Sequence, residues 1–415
     1  VPGRALFLDL GPLRTSRDYR LLYTGQFVSF IGSQLSVVAL PYQVYQLTHS
    51  SLAVGMIGLS QLVPLVVFGL VGGVYADALD RRRVLIAAES ALLLLCGLLI
   101  WNACRTSPAV WPLYALAALR SALNGFHRPA IEALSPRLVG REAMPAVAAL
   151  NSLRGNVGMI GGPTLAGIIL DAGGSAGPAW AYSLDALSFA LSLLCLWQLR
   201  PPPPPAQPTR ASLRAVLEGL RYAASRQELL GTYVVDMVAM IFGMPMALLP
   251  AIADSLGGAR VLGSLYAAPS VGALAMTLLS GWTKQVRRHG VAITIAAALW
   301  GVSIVGFGYA RSVPVALLCL GLAGAADMVS ALFRSTVWNQ TIPDKLRGRM
   351  ASVEMISYMS GPQLGNAEAG LVAAWAGVPF SVISGGVLCV LGVGVCAVLL
   401  PRFWTYDSDA FVPEE

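Results

Sequence analysis

The chain has 415 residues, of which 56% are apolar and only 12% charged, with a formal net charge of +7. So little charge, about half of what a water-soluble domain carries, excludes a soluble globular protein. The basic excess does not point to nucleic acid either, because the arginines are grouped as membrane insertion groups them and form no separate stripe.

Apolar runs of about 20 residues recur from end to end, each long enough to cross the ~30 Å hydrocarbon layer, and in lipid such runs are helices because a helix satisfies its own backbone. Twelve spans are predicted, at 21–45, 52–75, 83–103, 110–135, 144–170, 178–198, 229–252, 260–281, 291–310, 313–340, 351–373 and 378–400. Arg17, Arg20, Arg81, Arg82, Arg83, Arg137, Arg141, Arg200, Arg287, Arg288 and Arg347 fall on one side of this pattern, against Arg105, Arg260 and Arg311 on the other. Both termini are therefore expected in the cytoplasm, and the first span is expected to serve as its own insertion signal. Six cysteines, five of them within spans, and three scattered histidines give no disulfide framework and no metal-ligand set, so no metal or cofactor is expected.

In chain order, span one offers Gln26, Ser29 and Ser33 as neutral donors for a substrate but no acid. The loop into span three runs from Gly72 and Gly73 through Asp77 and Asp80 to Arg81, Arg82 and Arg83. Glu89 on span three and Asp185 on span six read as structural. Span four aligns Arg120, Asn124, His127 and Arg128 on one polar face, and span five aligns Asn151, Arg154, Gly158 and Gly162. Gly158, Gly162, Pro163 and Gly167 form a small-residue stripe with a helix-bending proline, suited to close helix contact.

Five prolines from Pro201 to Pro205, followed by Pro208, form an extended spacer of about 25 Å. Beyond it Leu213, Val216, Leu217 and Leu220 recur at helical spacing among charges, as in a helix lying on a membrane surface. The spacer divides the chain into a six-helix bundle over 1–198, a linker over 199–228, a second six-helix bundle over 229–400 and a tail over 401–415. The halves read as copies: Leu40-Pro41 recurs as Leu249-Pro250, Gly55 and Gly73 as Gly263 and Gly281, and Gly162-Pro163 as Gly361-Pro362, at offsets of 209, 208 and 199. Internal duplication of this kind accompanies secondary transporters, whose substrate site lies near the midplane. Span seven presents Asp236, Met240 and Met244, and span ten presents Asp327, Ser330 and Arg334. Buried carboxylates can exchange protons whereas arginines stay charged, so Asp327 is the expected proton carrier and Asp236 the second candidate. Arg120, Asn124 and Arg154 join Gln26, Ser33, Met240 and Met244 as expected cavity residues, with Arg120 and Arg154 as fixed positive charges.

The segment Gly73, Asp77, Arg81 and Arg82 resembles the signature loop of the major facilitator superfamily, although Ala78 and Asp80 stand where that family carries a basic residue and a glycine. The resemblance implies an all-α membrane protein of twelve helices in two pseudo-symmetric bundles. It also implies a gate in which Asp77 meets the start of span eleven and Arg81 meets an acid low on span four, here Glu132. The Gly162-Pro163 stripe resembles the motif of the superfamily's exporters. Asp18-Tyr19-Arg20, Gly25-Gln26, Leu47 to Ser51, Val139 to Glu142, Leu265 to Ala268 and Gly348-Arg349 resemble the subgroup of enterobactin exporters and macrolide efflux proteins. That likeness implies proton-driven antiport of an amphipathic siderophore or hydrophobic drug out of a bacterial cytoplasm, by a monomer in the inner membrane. Proton-coupled nutrient uptake and a non-transporting sensor of the same fold are the alternatives. Lys284 and Lys345 follow no phosphate-cradling glycine turn, so an ATP-driven pump is excluded, and no nucleophile–base set suggests an enzyme.

Overall fold

The computed structural model of this chain describes residues 9–78, 80–200, 213–343 and 346–407. Twelve long helices account for most of them: α1 (Arg17–Thr48), α2 (Ser51–Ala78), α3 (Arg81–Ala103), α4 (Trp111–Leu138), α5 (Met144–Gly173), α6 (Gly177–Trp197), α7 (Gln227–Phe242), α8 (Ala259–Leu278), α9 (His289–Gly308), α10 (Val313–Thr341), α11 (Arg347–Ala376) and α12 (Val378–Leu399). There is no strand among the described residues. Several helices outrun the predicted spans because hydropathy reads only the hydrocarbon core. The 32 residues of α1 reach about 48 Å at a 1.5 Å rise, well past a ~30 Å layer. Nine helical segments among the described residues are long and apolar enough to cross a membrane by composition, and one of these, Met144–Trp197, runs over both α5 and α6. Two long helices fall outside that set, α4 and α11, and both carry charges that the structure puts to use.

Span seven departs from expectation. A continuous helix over 229–252 was expected, but α7 ends at Phe242, a 3-10 turn covers Met246–Leu248, and a separate short helix runs over Leu249–Leu256. Pro245, lying between Gly243 and the 3-10 turn, has no amide hydrogen to continue the helix. The backbone groups freed by the break find other partners. Trp300 Nε1 donates to the Gly243 carbonyl at 3.0 Å, Tyr266 Oη donates to the Met246 carbonyl at 3.3 Å, and the Ala247 amide donates to Asn366 Oδ1 at 3.1 Å.

The chain packs as two units, residues 1–43 with 63–211 and residues 44–62 with 212–415. In the first, α3 lies between α4 and α6. Leu22, Leu85, Ala130, Leu134, Leu196 and Leu199 form a buried cluster at one end of that unit. Here Asp80, standing where the resembling family has glycine, is the N-cap of α3 and accepts from the Arg82 amide at 3.0 Å. In the second unit a helix covers Leu213–Ser225. It adds Ala223 to a cluster with Tyr233, Met350 and Val353, and Tyr222 Oη donates to the Thr341 carbonyl at 2.9 Å. The first part of the tail is built into this unit: Phe403 is fully buried, and Tyr406 Oη donates to Gln340 Oε1 at 2.9 Å.

Candidate functional site

Charge inside an apolar bundle costs several kcal/mol unless it is paired, so the places where ionisable side chains meet are the places to look for chemistry. The first unit holds two such meetings, both anchored on α4. Arg120 and His127 are seven residues apart, two turns, and so project from one side of the helix. Arg120 Nη1 donates to Asp185 Oδ2 of α6 at 2.9 Å, and its Nη2 donates to the Ser33 carbonyl at 3.3 Å. The same carboxylate oxygen accepts from Ser36 Oγ and, at 3.5 Å, from Cys96 Sγ. Asp185 is fully buried.

One to two turns further along, Glu89 of α3 is equally buried. Its Oε1 accepts from Gln26 Nε2 at 2.6 Å and lies 3.0 Å from His127 Nε2, while Gln26 also reaches Ser192 Oγ at 3.3 Å. The polar face read along α4 thus divides: Arg120 and His127 turn into the bundle, whereas Asn124 and Arg128 are exposed. Gln26, expected among the cavity donors, is 3% exposed and committed to Glu89.

The second unit holds a three-member charge group. Arg334 of α10 forms an ion pair with Asp236 of α7 through Nη1, and its Nη2 lies 3.7 Å from Asp327 Oδ1 one helical stretch earlier on α10. Asp236 and Arg334 are buried, but the Asp327 side chain keeps 39% of its surface. Beside this group is a cavity of about 250 Å³ lined by Tyr233, Asp236, Arg334, Trp338, Glu354, Ser357 and neighbours from α7, α10 and α11. Met240 and Met244, expected to face a ligand, are half-buried against α11. A Cβ at Gly361 would come 2.9 Å from Met240 Cβ, and one at Gly365 would come 3.0 Å from Met244 Cβ. The absence of side chains at these two glycines is what lets α11 lie against α7.

The expected small-residue stripe on α5 faces α1: Gly158 lies against the Phe30 ring and Gly162 against Gln34 and the Ile31 carbonyl, with Pro163 and Gly167 buried beside them. Arg154, one turn before Gly158, sits 5.9 Å from the Phe30 ring centroid. Of the expected gate, Gly73 and Asp77 fall on the last turns of α2, where the side chains lie outside the described residues. Arg82 donates through Nε to the Leu196 carbonyl at 3.0 Å and through Nη2 to the Trp197 carbonyl at 2.8 Å, so it caps the C-terminus of α6. Arg81 is half-buried at the start of α3, and Glu132 is exposed, accepting from Arg128 Nε at 3.1 Å. Glu89 and Asp185, read from the sequence as structural, are the acids to which the inward residues of α4 pair, a partnership that the sequence did not name. Each is a lone acid in a long apolar span, and that cost is itself the signal that a cationic partner faces it.

Comparison with known proteins adds to this geometry. Residues 9–414 match the model of a family described as transmembrane secretion effectors. The enterobactin exporter EntS of Shigella boydii serotype 18 (strain CDC 3083-94 / BS512) is 30% identical over 405 residues, covering 95% of this chain and 94% of that protein. EntS of Escherichia coli O81 (strain ED1a) matches to the same extent. Among solved structures, a bacterial homolog of the human lysosomal transporter Spinster, in an inward-facing and unoccupied conformation, superposes with a TM-score of 0.75 at 12% identity, over 96% of this chain and 98% of that one. The nucleoside transporter NupG gives 0.71 at 13% identity, over 93% and 98%. At such identities these structures speak for the fold alone.

Proposed function

We propose that this chain, which belongs to the transmembrane secretion effector family of the major facilitator superfamily, exports an amphipathic siderophore-like molecule from a bacterial cytoplasm. It is a multi-pass membrane transporter and not an enzyme. The observation that carries the choice of export is the likeness to enterobactin exporters, which runs over 95% of this chain. On this reading both termini are cytoplasmic, the protein works as a monomer, and the substrate exchanges against protons.

The charge group in the second unit supports proton coupling. A proton carrier must be reachable from water during part of the cycle, and it must share a counter-ion with something else. Asp327 meets the second condition, since its 3.7 Å approach to Arg334 competes with the closer pair that Arg334 makes with Asp236, and part of its side chain is left uncovered by protein. Protonating Asp327 leaves Arg334 to Asp236 alone, while deprotonating it restores a shared cation. The gate around Asp77, Arg81 and Arg82 is carried over from the family resemblance.

Flux in oriented vesicles tests the reading. Inverted membrane vesicles containing the protein should accumulate enterobactin when their lumen is made acidic, and a collapsed pH gradient should stop it. Accumulation confined to right-side-out vesicles would instead make the protein an uptake system.

A further inference from the structure

Three basic side chains of α4 and α5 face into the first unit, and two of them meet an acid: Arg120 pairs with Asp185 at 2.9 Å, and His127 lies 3.0 Å from Glu89. Arg154 meets none. Its guanidinium makes no ion pair and no hydrogen bond among the described residues, and its neighbour is instead the Phe30 ring, 5.9 Å away at the centroid. The other charged side chains that act on it are Glu132 and Arg128, and these two are already paired with each other at 3.1 Å. A half-buried guanidinium left over in this way carries a cost that the two matched pairs avoid. Arginine does not shed its proton, so the balancing charge has to come from a ligand.

The surroundings define the rest of the site. On α1, Tyr19, Tyr23, Phe27 and Phe30 follow at steps of four, four and three residues and so share one face of the helix. Their rings begin a ladder, with centroids 6.1 Å apart from Tyr19 to Tyr23 and 6.0 Å from Tyr23 to Phe27. Two contacts hold it against α5: Tyr23 Oη donates to the Leu150 carbonyl at 2.9 Å, and the missing side chain at Gly158 makes room for the Phe30 ring. Leu150, Arg154 and Gly158 stand on successive turns of α5, so the guanidinium emerges between these contacts. A second donor is also unmatched. Tyr19 is 1% exposed, packs against Leu150, and its Oη has no hydrogen-bond partner among the described residues. Buried polar groups are as a rule satisfied, and guanidinium and phenol both donate, so what is missing is an acceptor. A neutral carbonyl would fill the hydrogen bonds but leave the charge standing, and a dianion such as a phosphate would replace one uncompensated charge with another. One negative charge balances the site, and the planar carboxylate also matches the fork of the guanidinium.

We infer that Arg154, with the Tyr19 hydroxyl and the ring ladder of α1, is a subsite for one carboxylate of the exported molecule, whose apolar body lies along the rings. The inference rests on the export reading for its meaning, but binding to the resting protein tests it separately. The full chain in phosphatidylcholine nanodiscs is titrated calorimetrically with 3-phenylpropionate, 3-phenylpropionamide, 3-phenylpropylamine and 3-phenylpropylphosphonate, against protein-free nanodiscs as the blank. Phenylpropionate should bind at least about tenfold more tightly than each of the other three. Arg154→Gln should weaken it about 30-fold, the worth of a charge-assisted hydrogen bond, and Tyr19→Phe about fivefold, the worth of a neutral one. Arg154→Lys, which keeps the charge but loses the fork, should fall between wild type and Arg154→Gln. Without ligand, Arg154→Gln should not lower the thermal midpoint, since no partner within the chain is lost. A lowered midpoint would make the guanidinium a structural link and overturn the inference. So would the amide, amine or phosphonate binding as tightly as the acid, or an unchanged affinity in Arg154→Gln or Tyr19→Phe. Because no gradient is applied, none of these results touches the direction of transport, and failure of vesicle accumulation leaves the binding result standing.

Discussion

Asp185→Asn is the substitution whose cost the structure allows to be worked out most directly. The native carboxylate is fully buried and accepts from Arg120 at 2.9 Å, from Ser36 and from Cys96. The amide preserves shape and can still accept one hydrogen bond, so the change isolates the charge. With charge centres about 4 Å apart and an effective dielectric constant of about 20, the lost attraction is about 4 kcal/mol. Removing one partner of a buried pair costs about 3–5 kcal/mol by experience, so the two routes agree. Thermal unfolding of the purified protein, followed with a thiol-reactive dye, is a suitable assay because Cys96, Cys389 and Cys396 are buried until the bundle opens. The variant should unfold at a clearly lower temperature, and the double change Arg120→Met with Asp185→Leu should recover most of the loss, because neither charge then remains buried alone. If Asp185→Asn unfolds with the wild-type midpoint, Arg120 is not relying on that carboxylate and the pairing is wrong.

In reconstituted vesicles loaded with substrate, Asp327→Asn should abolish efflux driven by a pH gradient while sparing downhill exchange. Asp236→Asn should instead lower substrate affinity, and gradient-driven accumulation surviving in both variants would move coupling away from this group. Gly162→Ala places a Cβ against Gln34 and 3.3 Å from the Ile31 carbonyl, and should cost about 1–3 kcal/mol in thermal stability. Gly161→Ala on the open side of the same helix has nothing within 4 Å and should cost nothing. Cys104, free and exposed between α3 and α4, should react with an impermeant thiol reagent on intact cells, whereas a cysteine at Ser225 should react only after permeabilisation. The reverse labelling pattern would invert the topology.

Most of the helical framework was legible because the bilayer imposes one requirement that any reader of hydropathy can apply. The break in α7 was not, since Pro245 sits in an apolar run where a proline kink and a full stop look alike. The site was legible only in part. Spacing along α4 places Arg120, Asn124, His127 and Arg128 on one polar face, but which of them turn inward depends on where α3 and α6 present an acid, and periodicity within one helix carries no such information. Glu89 and Asp185 could therefore be read as structural but not assigned partners, because the partners lie on another helix. The pairing of Asp236 with Arg334 was hidden for the same reason: 98 residues separate them. The burial of Phe403 was not legible either, because one aromatic residue in a short tail gives no sign of the face it meets.

Where the chain passes from one packing unit to the other has a mechanical consequence. One of the three crossings, at 211–212, lies outside the described residues. The others occur inside continuous helices, in α1 between Gln43 and Val44 and in α2 between Leu62 and Val63. Each of those rods carries an internal proline within two residues of its crossing, Pro41 in α1 and Pro64 in α2. Neither can donate to the carbonyl four residues back, at Val37 and Ser60, so each rod lacks one rung of its ladder just where a bend would have to form. Each helix is thus weakened locally at its crossing, while its remaining turns keep the full ladder of backbone hydrogen bonds.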